Sequence, residues 1–355
     1  MTDSVAKRAK ELRTGTAPYD LAYPFDAAGN RLTKTKDAVQ TSYSYNDANR
    51  LLQAVTGQST TTYTWDTRGN LTAKDVDGNA TTYGYSLTDD DKLTEVNGAP
   101  AFRYDADGRK FKLGDGETLQ QYDGDRVLRE TPGQSAMGDT RTHVYGLQLL
   151  RTYVQPPMME PPQHLFYHFD GQGSTRVLTD ENGNVVATYV YDAYGNVVAS
   201  TGNATTAYRY VGAERYREAG YGLLWVGSRH YDPEVGRWTT EDGWLGDAAR
   251  TQSVNRYVYC EGDPVNQIDA SGACPLALWP ALAWLCGFAA AACGAYLLIC
   301  QPHWPPSWWP WSSGPTVPIP GGVGGTLSDA NKQLNDLPGF NGKLDPGPPD
   351  PPPRR

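Results

Sequence analysis

The sequence predicts an all-β fold made of repeated β-hairpins. Three observations carry that expectation: a 20-residue aromatic beat, a turn motif in phase with it, and a composition rich in Tyr, Gly and Pro. Tyrosines stand at 23, 43, 63 and 83, followed two places later by Phe25, Tyr45, Trp65 and Tyr85. Residues i and i+2 of a strand share a face, so each unit opens with a strand presenting two rings on one side. A fixed period with its own turn signal marks an array of equivalent units.

The turn signal is Asp-x-x-Gly-Asn or a close variant, at 26–30, 46–50 and 66–70. It supplies a side-chain acceptor and a residue tolerant of positive φ, which a tight reversal needs. One hairpin fits in 20 residues, and consecutive hairpins add to a sheet whose equivalent positions stack in ladders. The expectation is one antiparallel sheet over residues 19–112. Weaker beats follow at 102–104, 167–169, 189–191 and 208–210.

Composition agrees. Tyr outnumbers Phe 23 to 7, and Tyr combines a buried ring with a hydroxyl that must reach water or a partner. The 38 Gly and 26 Pro suit turns and linkers. A net charge of −9 with no basic stripe argues against nonspecific nucleic-acid binding by the repeats. The five His, at 143, 164, 168, 230 and 303, show no metal-ligand spacing, and no cofactor motif stands out.

Charge then marks a boundary. From 270 to 328 there is no Asp, Glu, Lys or Arg, and four of the five Cys (274, 286, 293 and 300) lie beyond it, with Cys260 upstream. The expected organisation is a hairpin array over 1–150, further hairpins over 151–220, a core segment over 221–273 and a variable extension over 274–355. The Pro-rich stretch 155–162 is expected to be a stiff loop and a softer internal break.

The core segment holds the most specific motifs. It contains Arg229-His-Tyr-Asp232-Pro233-Glu-Val-Gly236, then Asp242-Gly243, then Asn255-Arg-Tyr257-Val-Tyr259, and Asp263-Pro264-Val-Asn266-Gln-Ile-Asp269-Ala-Ser-Gly272. Over roughly residues 19–273 the chain resembles the Rhs/YD-repeat family, with the segment before the boundary resembling its repeat-associated core. The resemblance implies a spiralling β-hairpin sheet that forms part of a hollow shell, capped by the core and holding a C-terminal, often toxic, polypeptide. It also implies an aspartyl autoprotease within the core, with Arg229, Asp242 and Asp269 as the essential residues and a cut between Ala273 and Cys274. Gly243 and Ala270 stand where the family usually has Pro, and Ala273 where it usually has Leu.

Paired carboxylates suit that chemistry. Two held close cannot both ionise easily, so one keeps a proton while the other can take one from water, and a guanidinium orients the pair. A bond four residues from Asp269 needs no separate substrate binding, and the reaction is single-turnover. The structural alternative is that the Asp residues cap turns and Arg229 pairs with Asp232.

Beyond the boundary, 281–300 is an uncharged run without Pro, and Pro280 and Pro302 suit its start and stop. A helix is expected there, about 30 Å long at ~1.5 Å per residue, enough to span a bilayer core. Ala283, Gly287, Ala291 and Ala295 make a small-residue stripe, and Trp304, Trp308, Trp309 and Trp311 suit a membrane interface. The alternative is an apolar cargo kept inside the shell. The tail beyond 329 is polar and Pro-rich.

The functional expectation is a shell and core fragment that encloses, and autoproteolytically releases, a toxin-like, membrane-active C-terminal segment. Its expected partners are that segment as cargo, a membrane and an immunity protein. By resemblance the chain is secreted or displayed at the cell surface, and it looks like the C-terminal part of a larger ancestor. Residues 1–13 carry no signal-peptide pattern. The alternative from a different class is a noncatalytic surface module binding carbohydrate or another cell through its Tyr-rich sheet.

Overall fold

The computed structural model describes residues 8–13, 19–87, 91–113, 118–133, 138–157, 160–246, 252–273 and 276–277. Among these the secondary structure is antiparallel strand and turn, with two short 3-10 segments and no α-helix. The expected helix at 281–300 and residue Cys274 lie outside the described residues. No helix among the described residues is long and apolar enough to cross a membrane.

Strands follow the beat. Val39–Tyr45 pairs with Leu51–Thr56, Ser59–Trp65 with Leu71–Val76, and Asn79–Tyr85 with Leu93–Val96, each neighbour adding to the last in sequence order. Tyr23, Tyr63 and Tyr83 are buried and Tyr43 half-buried, so the first ring of each beat looks inward. At the second ring the register slips by a β-bulge, after which Tyr45 faces Leu51, Trp65 faces Leu71 and Tyr85 faces Leu93. The polar tip of this ring reaches a carbonyl of the previous beat. Tyr45 Oη donates to Arg31 O at 2.8 Å, Trp65 Nε1 to Leu51 O at 2.7 Å and Tyr104 Oη to Leu93 O at 2.8 Å. Phe cannot make this bond, which gives the Tyr excess a physical cause.

The turn motif works through its first side chain. Asp26 Oδ1 accepts from the amides of Ala28 (2.9 Å) and Asn30 (2.8 Å), and Asn30 Nδ2 donates to Asp26 Oδ2 at 3.0 Å. Asp66 does the same for Arg68 and Asn70, and Asn46 for Ala48 and Arg50. The fourth position takes positive φ, +80° at Gly29 and +90° at Gly69, a region that favours glycine. Between beats the reversals are two-residue turns, Asp77-Gly78 and Asn97-Gly98 among them, with both residues at positive φ.

The single sheet expected over 19–112 divides. One ten-stranded sheet runs to Ala99–Pro100 and a second begins at Phe102–Tyr104, continuing in sequence order to Val197–Gly202. At the junction Ala101 still donates its amide to Thr94 O at 2.8 Å, and Ala101 and Phe102 are buried where the chain passes from one sheet to the next. Across the 155–162 loop, Leu149–Gln155 pairs with Gln163–Phe169, so that Pro-rich stretch connects neighbouring strands of one sheet.

The core segment forms a four-stranded sheet of Arg217–Gly220, Leu223–Val226, Arg229–Asp232 and Arg237–Trp238, followed by the short pair Gln267–Ile268 and Leu276–Ala277. It docks on the beat turns. Arg237 Nη1 donates to Asn30 Oδ1 (3.1 Å), Asn255 Nδ2 to Ala28 O (2.9 Å), Tyr257 Oη to Gly69 O (3.0 Å) and Asn196 Nδ2 to Pro233 O (2.8 Å). Arg50 pairs with Glu241 at 3.0 Å, and Lys74 with Asp232 at 3.1 Å. Tyr208, Tyr210, Tyr216, Tyr231 and Tyr259 are fully buried in the hydrophobic cluster beneath.

Candidate functional site

Arg229 opens the strand Arg229–Asp232, just after the two-residue turn at Gly227 and Ser228. Strand alternation sends Arg229 and Tyr231 to one side, His230 and Asp232 to the other. Against this turn lies the loop 269–273. Ser228 donates its amide to Ser271 O at 3.1 Å, and the two backbones approach so closely that a Cβ on Gly227 would meet Ser271 O at 2.1 Å, and one on Gly272 would meet Val226 O at 2.2 Å. Only glycine fits at either place.

The loop reuses the beat turn. Asp269 Oδ1 accepts from the Ala273 amide and from Ser271 Oγ, both at 3.1 Å, and Gly272 occupies the fourth position at φ +70°. Tyr216 fixes its base: the hydroxyl donates to Asp269 O at 2.8 Å and accepts from the Asp269 amide at 2.9 Å.

Asp242 arrives from the segment after Trp238. Its amide donates to Arg256 O at 3.0 Å, Arg256 Nε donates back to Asp242 O at 2.6 Å, and its Oδ1 accepts from the Trp244 amide at 2.9 Å. Arg256 is itself held by Glu241, the residue that reaches Arg50 in the repeats.

The structure brings Arg229, Asp242 and Asp269 together. Arg229 Nη2 lies 2.6 Å from Asp242 Oδ2 and 3.7 Å from Asp269 Oδ2, Nε donates to Gly272 O, and the guanidinium stacks 4.1 Å from the Trp238 ring centre. Asp232, the structural alternative for Arg229, pairs with Lys74 instead. All three side chains are largely buried, at 8%, 14% and 2% exposure for Arg229, Asp242 and Asp269. Burial pushes the Asp242 carboxyl above the usual carboxylate range; the Arg229 cation opposes this and the Asp269 charge adds to it. Burial likewise lowers the Arg229 pKa, against the pull of both acids.

Such an arrangement can keep one proton on a carboxyl pair, hold a carbonyl oxygen on a fixed cation and present a peptide amide to a carboxylate. Ala273 stands in it, with its amide on Asp269; Cys274 lies outside the described residues. Sequence reasoning missed Ser228, Tyr216 and Trp238. The close pair Gly227 and Gly272 was the available sign, since each marks a place where backbone meets backbone. Among the described residues, no group of three or more His, Cys, Asp and Glu is placed to hold a metal ion.

A family model described as the Teneurin YD-shell matches residues 150–265. The chain is 30% identical over 264 residues to the tRNA3(Ser)-specific nuclease WapA of Bacillus spizizenii, which covers 71% of this chain and 11% of that protein. It is also 30% identical over 262 residues to the tRNA nuclease WapA of Bacillus subtilis, with the same coverage. The chain thus spans about a tenth of the length of the curated relatives it matches. Among solved structures, a TcdB2-TccC3 crystal structure aligns with a TM-score of 0.43 and 17% identity, covering 74% of this chain and 18% of that one.

Proposed function

This chain belongs to the Rhs/YD-repeat family, and on that premise we propose that it is a shell and core fragment with a single-turnover aspartyl autoprotease that cuts itself near residue 273. The observation that supports this most is one guanidinium addressing both Asp242 and Asp269 while holding the Gly272 carbonyl. In this reading 221–273 is the core cap and 274–355 the cargo it releases. Asp269 and Asp242 supply proton transfer, Arg229 orients them and polarises the carbonyl, and the covalent link makes the bond its own substrate. The mass of the purified chain tests it: two fragments divided near residue 273 are expected, and a protein that stays intact through long incubation rejects the protease.

The cargo is read as toxin-like and membrane-active, on the strength of the uncharged run 270–328 and its Trp-rich end. Nuclease activity is named for the WapA relatives, whereas 270–328 carries no Lys or Arg for a phosphate backbone. By family the protein acts outside the cell or at its surface, with an immunity protein as partner. The released 274–355 fragment is expected to partition into liposomes and make them leak; a fragment that stays in solution and leaves them sealed rejects membrane activity. The carbohydrate-binding alternative loses its main support, because Tyr23, Tyr63 and Tyr83 face inward and are not available to a ligand.

A further inference from the structure

Strand alternation sorts charge in a way that the whole-chain value of −9 hides. The five neighbouring strands Arg126–Thr131, Thr140–Tyr145, Leu149–Gln155, Gln163–Phe169 and Thr175–Thr179 contain five Arg and three His but one acid, Glu130. Glu130 is buried and pairs with Arg217 on the inner side. On the outer side, cross-strand pairing sets Arg129 opposite Thr142, Thr142 opposite Tyr153 and Tyr153 opposite His164, and one row along Arg151 stands opposite Phe166. Arg129 is exposed, and Arg151, Tyr153, His164 and Phe166 are half-buried. Among the described residues neither arginine makes an ion pair. The rings form a run: the Tyr153 and His164 centres are 5.1 Å apart, those of His164 and Phe166 6.5 Å, and the Arg151 guanidinium lies 5.9 Å from the Phe166 centre. Glu181 reaches the rim, with Oε2 3.8 Å from His164 Nε2. Thr152, Val154 and Leu165 fill the core on the inner side, so the outward rings are free of that task.

We propose that this face is a binding surface for single-stranded nucleic acid, with bases stacking on Tyr153 and Phe166 and phosphates meeting Arg129 and Arg151. Two unpaired cations beside a run of open rings call for a ligand that is anionic and also offers flat faces, and unpaired bases on a phosphate backbone do both. An acidic polysaccharide has the charge without the π-face. The chain's own segment 329–355 carries four Asp against two Lys and two Arg, so it brings no net charge to the arginines. The total of −9 keeps the rest of the surface unattractive to a polyanion, so binding is confined to this face and weakens steeply with salt.

The test is fluorescence anisotropy of a labelled single strand of about ten adenylates, titrated with the full-length chain from about 50 mM salt upwards. The single strand is expected to bind more tightly than a duplex or an abasic strand of the same length. Tyr153→Leu and Phe166→Leu, which keep an apolar side chain, should each weaken binding about 5–100-fold. Arg129→Gln combined with Arg151→Gln, a change on the solvent side of the sheet, should lower the salt slope by about 1.4. A single strand that fails to bind overturns the proposal, as does an abasic strand or duplex that binds equally well, since stacking then contributes nothing. Unchanged affinity in the folded double-arginine variant also overturns it. If those two substitutions instead convert a dimer of the chain into a monomer, the face belongs to a second copy and the proposal falls.

Discussion

Asp269→Asn is expected to leave the chain at its full 355 residues under conditions where the unmodified protein separates, with the rate of self-cleavage falling about 10²–10⁴-fold. The substitution isolates chemistry from folding because the protein already contains the control. Asn46 occupies the first position of a beat turn and its Oδ1 accepts the Ala48 and Arg50 amides at 3.1 and 2.9 Å, just as Asp does in neighbouring turns. An Asn at 269 therefore keeps the contacts to Ser271 and Ala273 while removing the ability to carry a proton and the charge that faces Arg229 at 3.7 Å. Intact mass together with an unchanged melting curve is the measurement. Full-rate cleavage by the Asn variant reduces Asp269 to a turn residue.

Lys110→Met is expected to flatten the pH dependence of stability. Lys110 is 1% exposed, its Nζ lies 2.7 Å from His230 Nε2, and it sits 3.7 Å from the Phe102 ring centre and 4.2 Å from that of Trp225. Burial pushes its pKa well below the ordinary 10.5, and the charge acting beside it, Arg217, pushes the same way. His230 is lowered too, by burial and then by Lys110. A base with a depressed native pKa is protonated on unfolding, so its contribution is complete above the unfolded value and is lost as pH falls towards the native one. As pH falls from the unfolded-state value of about 10.4 towards the depressed native one, the unmodified protein should therefore lose up to about 1.4 kcal/mol per pH unit more than Lys110→Met. That is roughly 3–5 °C of melting temperature per unit for a domain of this size. The unpaired His230 left by Met lowers stability without changing that slope, so equal slopes in the two proteins would show that Lys110 is charged in the fold.

The all-β fold was legible because its signal is local. Strand alternation and the Asp-x-x-Gly-Asn turn each need only a few residues, and the structure uses them as the beat implies. Asp77-Gly78 and Asn97-Gly98 were equally local signs of two-residue turns, and the longer beat overshadowed them. The change of sheet at Ala101 left no such mark, since it depends on where Phe102 is buried and not on any turn residue. The site was legible only in part. Asp242 and Asp269 stand out through the core motifs, but their meeting on Arg229 crosses three separate segments. Ser228 and Lys110 are unremarkable in sequence, and they matter only through what long-range folding puts beside them.

The docking of the core on the repeat turns sets a clock. Arg50 meets Glu241 across 191 residues, Arg50 meets Tyr257 across 207, and Asn255 meets Asn30 across 225. At about 5–20 residues per second, a ribosome needs roughly 10–40 s to deliver the second member of each pair after the first. During that delay the early hairpins can form from neighbours alone, while Arg50 has no Glu241 or Tyr257 to lock against. The carboxyl pair is completed by the last part of the core to leave the ribosome. Under the proposed autoprotease reading, self-cleavage would be deferred until the sheets and cap have closed, and an unfinished chain would lack the means to shed its own C-terminus.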